Sequence, residues 1–384
     1  MSDNAPARLG PRLLRAAPVI IVVAVVTLIM EQLGWLDSFE TAGIDAVLLM
    51  RQPREMRHVS VVALTQAEYE AEYAGRRVLV HQDLERLIDA VARGGAAIVG
   101  IDLDTSAPQF ANMRQRAGWP PIVWAAGVTT AAGTYMPGPV VGGAVRETDN
   151  IGVDLLPIDP DGVVRRYQRD LPVNGGMRGT FPWAVVQAFC RTQRGDCPPK
   201  VARGGDSLDA RLIDFTGTRN APAPISFHEA MALSSLPENA PDENKPLAGR
   251  IVLIGAIVGP SCDILRTPMG QKPGVFVMAE AIESELAGGG IQNISPYLAF
   301  IIDVAVGILI VVIQFYFAPR VAVLLSILAI PVLSLAGSYL AFASFARWFN
   351  FVPMIVAVLI HELYDQGKAY RDLRQAYDKL SAQR

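Results

Sequence analysis

The chain has 384 residues, of which 51% are hydrophobic and 18% charged, and its mean hydropathy is +0.29, too apolar for an ordinary soluble protein. Its formal net charge is -3, and it carries no basic stripe, zinc-finger spacing or aromatic RNA-binding motif, which excludes nucleic acid as a natural partner. The lipid bilayer is the first partner this composition implies.

Arg8, Arg12 and Arg15 precede an uncharged run that continues to Met30, with Trp35 placed to mark the far interface. No small-x-small cleavage pattern follows, so residues 16–36 are expected to form an uncleaved signal anchor, transmembrane helix 1. The arginines keep residues 1–15 in the cytoplasm, and residues 37–297 are then expected outside it.

That outer region is long enough for one α/β domain with its own core. Strands are expected over 59–64, 96–103, 121–128, 163–171 and 211–216, the fourth being an Arg-rich run. Leu84, Leu87, Ile88 and Val91 make an i, i+3, i+4, i+7 stripe on a helix stopped by Gly94-Gly95. Strand, helix and strand in that order imply a right-handed parallel crossover. A second amphipathic helix is expected over 183–190, and Ser226 reads as the cap of a short helix.

Residues 250–290 organise the rest. A branched apolar run at 251–256 reads as a strand buried on both faces, followed by a Gly- and Pro-punctuated loop and a helix over 275–286. The expected fold is α/β, a mostly parallel sheet with helices on both faces, joined to a four-helix all-α membrane portion. Loops leaving the carboxyl ends of such strands are where ligands usually bind. The candidate ligand or contact residues are therefore Gly255, Gly259, Asp263 and Thr267, with Asp102 and Asp104 on one face of a neighbouring strand end. Paired carboxylates there serve a cation, acid–base work, or simply the capping of loop amides.

No catalytic, cofactor-binding or metal-binding residue is assigned. The four histidines lack ligand spacing, there is no Cys-x-x-Cys, and Gly255-x-x-x-Gly259 lacks the Lys-Ser/Thr of a phosphate loop. Cys190 and Cys197, outside the cytoplasm, are expected to form a disulfide, which leaves Cys262 unpaired.

Three further spans are expected over 298–318, 321–346 and 348–364, with Asp303 near the outer end of its helix and directed to the interface. Four crossings return the basic tail, 365–384, to the side of the amino-terminal arginines. In that tail Leu363, Gln366, Tyr370, Leu373, Tyr377 and Leu380 fall at alternating three- and four-residue steps. So short a seam needs a partner helix, and another membrane or cytoplasmic protein is the expected one; a homo-oligomer is also compatible with it.

Several segments, in order, carry a family likeness: IDAVLLMRQP, LERLIDAVARGGAAIVGIDLDTSAP, DPDGVVRRYQRDLPV, FPWAVVQAF, LIDFTGT with ISFHEAM, and LAGRIVLIGAIVGPSCDILRTPMGQKPGVFVMAEAIESELAGG. From about residue 40 to the tail the chain resembles the class-two CHASE family, the cyclase- and histidine-kinase-associated sensory extracellular domains of bacteria. The resemblance implies a periplasmic sensory domain held in the bacterial inner membrane by one span before it and three after it. Leu64-Thr65 and Arg77-Val78-Leu79-Val80 depart from the family pattern, which tends to an Asp after the first strand and a Trp-Pro-rich segment before the first helix. The family's usual cyclase or kinase does not follow before Arg384. The expectation is thus a non-enzymatic, cofactor-free protein acting by protein–protein contact and signalling to a separate output protein. The alternative is a structural accessory subunit of a large multi-subunit inner-membrane complex, derived from a sensor module.

Overall fold

The computed structural model describes residues 9–381 except 52–54, 74–78, 112, 114–115, 132–133, 144–149, 174–175, 193–196, 198–209, 216–222, 238–239 and 259–262. The chain divides into two compact units: residues 1–50 with 293–384, and residues 51–292.

The second unit is built on β1 (Val59–Thr65), α3 (Gln66–Tyr73), α4 (His81–Arg93), β2 (Ile98–Ile101), β3 (Ile122–Ala126), β4 (Val128–Ala131), β5 (Thr134–Pro137), β6 (Ile151–Val153), β7 (Arg166–Tyr167), β8 (Asp170–Val173) and β9 (Gly176–Gly179). It continues through α5 (Phe181–Thr192), β10 (Arg211–Leu212), β11 (Ile225–Ser226), α6 (Phe227–Ala232), β12 (Ile251–Ile257), β13 (Ile264–Thr267), β14 (Gly270–Pro273) and α7 (Gly274–Leu286). The first unit contains α1 (Leu9–Gln32), α2 (Asp37–Met50), α8 (Pro296–Tyr316), α9 (Pro319–Phe345) and α10 (Val352–Ser381).

Six strands form the central sheet in the order β11-β1-β12-β2-β3-β6, all of them parallel. Their near-continuous Val, Ile and Leu content suits strands covered on both faces. The pairing of β1 with β12 runs from Val59 opposite Ile251 to Thr65 opposite Ile257. One face, with Val62, Val99, Ile101, Val252 and Ile254, packs on Leu84, Leu87, Ile88 and Val91 of α4 and on Phe227 and Ala230 of α6. The other receives α5 and α7. There Gly100 faces Phe181 and Val185, and Gly255 faces Val275 so closely that an added Cβ would lie 2.7 Å from Cγ2. Ser226 caps α6 with a reciprocal capping box to Glu229.

Several expectations need correction. The Arg-rich run and the 211–216 segment do not extend the central sheet. β7 and β10 instead pair antiparallel as a separate two-stranded ladder, and β8 joins β4, β5 and β9 in a second sheet. The reason is charge: Arg165, Arg169 and Arg211 are each at most 2% exposed and need buried carboxylate or carbonyl partners, which a strand with helices on both faces would not supply. The loop after β12 contains the β13–β14 hairpin, and the insertion after β1 opens with α3.

In the helical unit α1, α8 and α9 are long and apolar enough to cross a membrane. Gly307 of α8 lies under Ile20 of α1, where a Cβ would meet Ile20 at 2.7 Å. Ile310, Ile330 and Val358 join α8, α9 and α10 in a common core. Asp303, expected at the interface, is buried and accepts a 3.2 Å hydrogen bond from Thr27 Oγ1 of α1. A carboxylate in an apolar bundle is less costly when a neighbouring helix supplies a donor. The segments 348–364 and 365–384, read separately from the sequence, are joined by one continuous helix, Val352–Ser381, and Trp348 belongs to a short strand before it.

Replacing Gly255 with Ala should destabilise the full chain by about 1–3 kcal/mol through overpacking against Val275. Adding Val275→Ala should recover most of the loss, read as the thermal midpoint in detergent.

Candidate functional site

Because all six strands run the same way, the loops that follow β2, β6 and β12 emerge at one edge of the sheet. Asp102 follows β2, Asp154 follows β6 and Asp263 lies in the loop after β12. The amide of Asp102 donates to Ile254 O (2.8 Å) and that of Asp154 to Ala126 O (2.8 Å), so both backbones are fixed by neighbouring strands. Asp263 is seated against the start of α7: its carbonyl accepts from the Gly274 amide (2.7 Å), and Oδ2 lies 2.7 Å from where a Cβ on Gly274 would stand. A helix amino terminus favours a carboxylate at that place.

The three acids repel one another. Burial, reinforced by Asp154 and Asp263, raises the pKa of Asp102 well above the ordinary carboxylate value. Burial and Asp263 push Asp154 up to about 6, and burial raises Asp263. Among the described residues no group of three or more His, Cys, Asp or Glu is arranged to hold a metal ion. What this edge can do is take up protons in the mildly acidic range.

The other sequence candidates are used locally. Asp104 is exposed and accepts from the Ser106 amide (2.9 Å), the loop-capping role. Thr267 donates to Gly270 O (2.7 Å) and accepts from the Met269 amide (3.2 Å), closing the β13–β14 turn. Gly255 allows α7 to approach the sheet. Gly259 and Cys262 lie outside the described residues. Cys190, in the last turns of α5, is bonded to Cys197 with Cα atoms 5.2 Å apart.

Behind the acidic edge, α7 is held by three glutamates that reading the sequence passed over. Glu280, 1% exposed, meets Lys272 Nζ of β14 at 2.8 Å; burial still pushes it up to about 8 against the pull of that lysine. Burial also opposes the Glu283 carboxylate, yet the His58 ring at 3.1 Å and the amides of Arg57 and His58, at 2.9 and 3.0 Å, hold its pKa below the ordinary value. Glu285 is fully enclosed by Tyr167, Arg169 and Arg211. The Arg169 guanidinium also lies 4.2 Å from the Trp183 ring centroid. The signal was present: three acids in an otherwise apolar helix and an arginine run elsewhere in the same domain. Composition alone does not tell which acid meets which base.

Residues 20–315 match the family model described as the CHASE2 domain. No curated protein matches the chain. No solved structure matches it either.

For the acidic edge the linkage sign is fixed by the raised folded-state values. Between about pH 4 and pH 6 the folded state holds more protons than the unfolded chain, so the stability that Asp154 contributes at low pH is lost as pH rises through about 6. Asp154→Asn should flatten the fall in thermal midpoint between about pH 4 and pH 6.5, measured on the full chain in detergent.

Proposed function

The chain belongs to the CHASE2 family, a family of sensory domains, and from that premise we propose that it is a sensor-like membrane protein of the bacterial inner membrane. In this reading residues 51–292 form its periplasmic domain, and the chain acts by contact with a separate output protein, without catalytic turnover. The observation that carries the reading is α10, one unbroken helix of 30 residues. Its first turns pack with α8 and α9, and its later turns present Leu363, Tyr370, Leu373, Tyr377 and Leu380, each at least 65% exposed. A rigid helix that begins in an apolar bundle and ends in an unpaired apolar seam suits the transfer of a small displacement to a docked partner.

Four crossings are the topology proposed, with the start of α10 as the fourth. Arg12 of α1 lies over the Phe315 ring near the end of α8, 5.3 Å from its centroid, and Gln314 of α8 hydrogen-bonds Asp365 of α10. The arginine end of α1 and the departure point of the tail thus stand at the same end of the helical unit. With Lys368, Arg371, Arg374 and Lys379 in the tail, that end is the natural cytoplasmic one.

A reporter fused after Arg384 should read cytoplasmic, and protease added to the periplasmic side should cut within 237–245 and spare the tail. A periplasmic reporter would remove the four-crossing topology. Leu373→Asp with Tyr377→Asp should release the protein that copurifies through the tail, since a charge is costly to bury in an apolar contact. The periplasmic domain should fold unchanged. A kinase or cyclase lost from native membrane preparations supports the sensor reading, whereas loss of a stoichiometric large assembly points to the accessory-subunit alternative. Retention of every associated protein would discard the tail as the contact.

A further inference from the structure

We propose that α2 is an interfacial helix whose exposed apolar row lies in the outer leaflet of the bilayer. Phe39, Ala42, Ala46 and Leu49 follow one another at steps of three, four and three residues, and Met50 extends the row. All five are exposed, Phe39 to 67%. Gly43, Ile44, Val47 and Leu48, on another side of the helix, are buried. Asp37, Thr41 and Asp45, at steps of four, make a polar row along a third side. An apolar row left outside the packed core, with a separate polar row, is the pattern of a helix lying at a membrane surface.

The connection between α9 and α10 fixes where α2 lies along the bundle. Asn350 Nδ2 donates to Glu31 in the last turn of α1 (3.1 Å) and to Glu40 in the first turn of α2 (3.4 Å). Nine residues of unbroken helix would set those two acids about 13.5 Å apart, so the chain turns sharply between them, through Gly34 at positive φ. One turn later α2 is still on the same connection. Trp348 Nε1 donates to Glu40 at 3.2 Å, and a Cβ on Gly43 would lie 3.0 Å from the Phe351 ring. The Ile294 amide, donating to Trp348 O at 3.0 Å, brings the start of α8 to this end as well. Trp35 (68% exposed) and Tyr297 (76% exposed) stand here as the aromatic belt of a membrane interface.

The occupant follows from continuity. Ile29, Leu33, Trp35 and Phe39 form one exposed apolar run out of α1 into α2, and the membrane-crossing part of that surface faces lipid. Residues 37–50 contain no Lys or Arg, so the attraction is to acyl chains rather than to anionic headgroups. This placement rests on the helical unit being membrane-embedded. It holds the link from α1 toward residue 51 at the level of the membrane surface.

The test uses the full chain in phosphatidylcholine nanodiscs, in a Cys262→Ser background, with a bimane label on Ala42→Cys, Ala46→Cys or Thr41→Cys in turn. Val22→Cys, at a position 60% exposed on α1, is the control for membrane embedding. Phosphatidylcholine spin-labelled near the top of its acyl chain should quench most of the fluorescence at Ala42→Cys and Ala46→Cys, and iodide little of it. Thr41→Cys should show the reverse. Val22→Cys should be quenched by lipid spin-labelled near the chain end and not by iodide. Iodide quenching at both alanine positions equal to that at Thr41→Cys, with Val22→Cys still quenched by lipid, would overturn the placement of α2 alone. Shielding of both alanine positions from lipid and iodide alike would overturn it in favour of a protein contact, such as a second copy of the chain. Absence of lipid quenching at Val22→Cys would remove the membrane reading and the placement with it.

Discussion

Every lateral hydrogen bond between the two halves of the central sheet runs through β12. The chain lays down β1, then β2, β3 and β6 to one side, then β11 on the far edge of β1, and inserts β12 between β1 and β2 last. Val59 therefore waits for Ile251, and Ile98 for the same residue, across separations of well over one hundred residues. Closing loops of that size costs entropy before any contact rewards it. The reward is concentrated: Ile251, Val252, Leu253 and Ile254 are wholly buried, and each side of the strand completes a parallel ladder.

The helix that follows β12 turns that insertion into a rigid domain. α7 lies close on the sheet because Gly255 has no side chain, and its three glutamates then bind three separate parts of the fold. These are the hairpin through Lys272, the chain entering β1 through Arg57 and His58, and the β7–β10 ladder through Tyr167, Arg169 and Arg211. Buried ion pairs are a poor source of net stability, because desolvation consumes most of their attraction. Their effect is positional, since each carboxylate reaches its partner in only one placement of the helix. The amino end of α7, with Asp263 against it, is thereby fixed at the acidic edge, where Asp102 and Asp154 meet the same field.

The helical unit uses polar groups in the same way. Thr27 with Asp303, and Asn350 and Trp348 with Glu31 and Glu40, are hydrogen-bonded pairs between segments distant in the chain. In an apolar surrounding such contacts specify which helix faces meet, because an unmatched polar group there is expensive. Gly307 beneath Ile20 adds a close crossing that a larger residue would prevent.

The order of residues alone specifies the local elements with a strong period or composition: the stripe on α4, the branched run of β12, the apolar lengths of α1, α8 and α9, the cap at Ser226. It also determined the family, through segments that recur in order over most of the chain. Each of these is written in neighbouring residues, where hydrophobic spacing and turn chemistry act directly. Only the assembled fold settles that the Arg-rich run leaves the central sheet, that Asp154 joins Asp102 and Asp263, that Asp303 faces Thr27, and that Glu285 meets Arg169 and Arg211. Those outcomes depend on which charge finds which partner once burial has made an unpaired one costly. The partners are far apart in sequence, and no local pattern encodes their meeting.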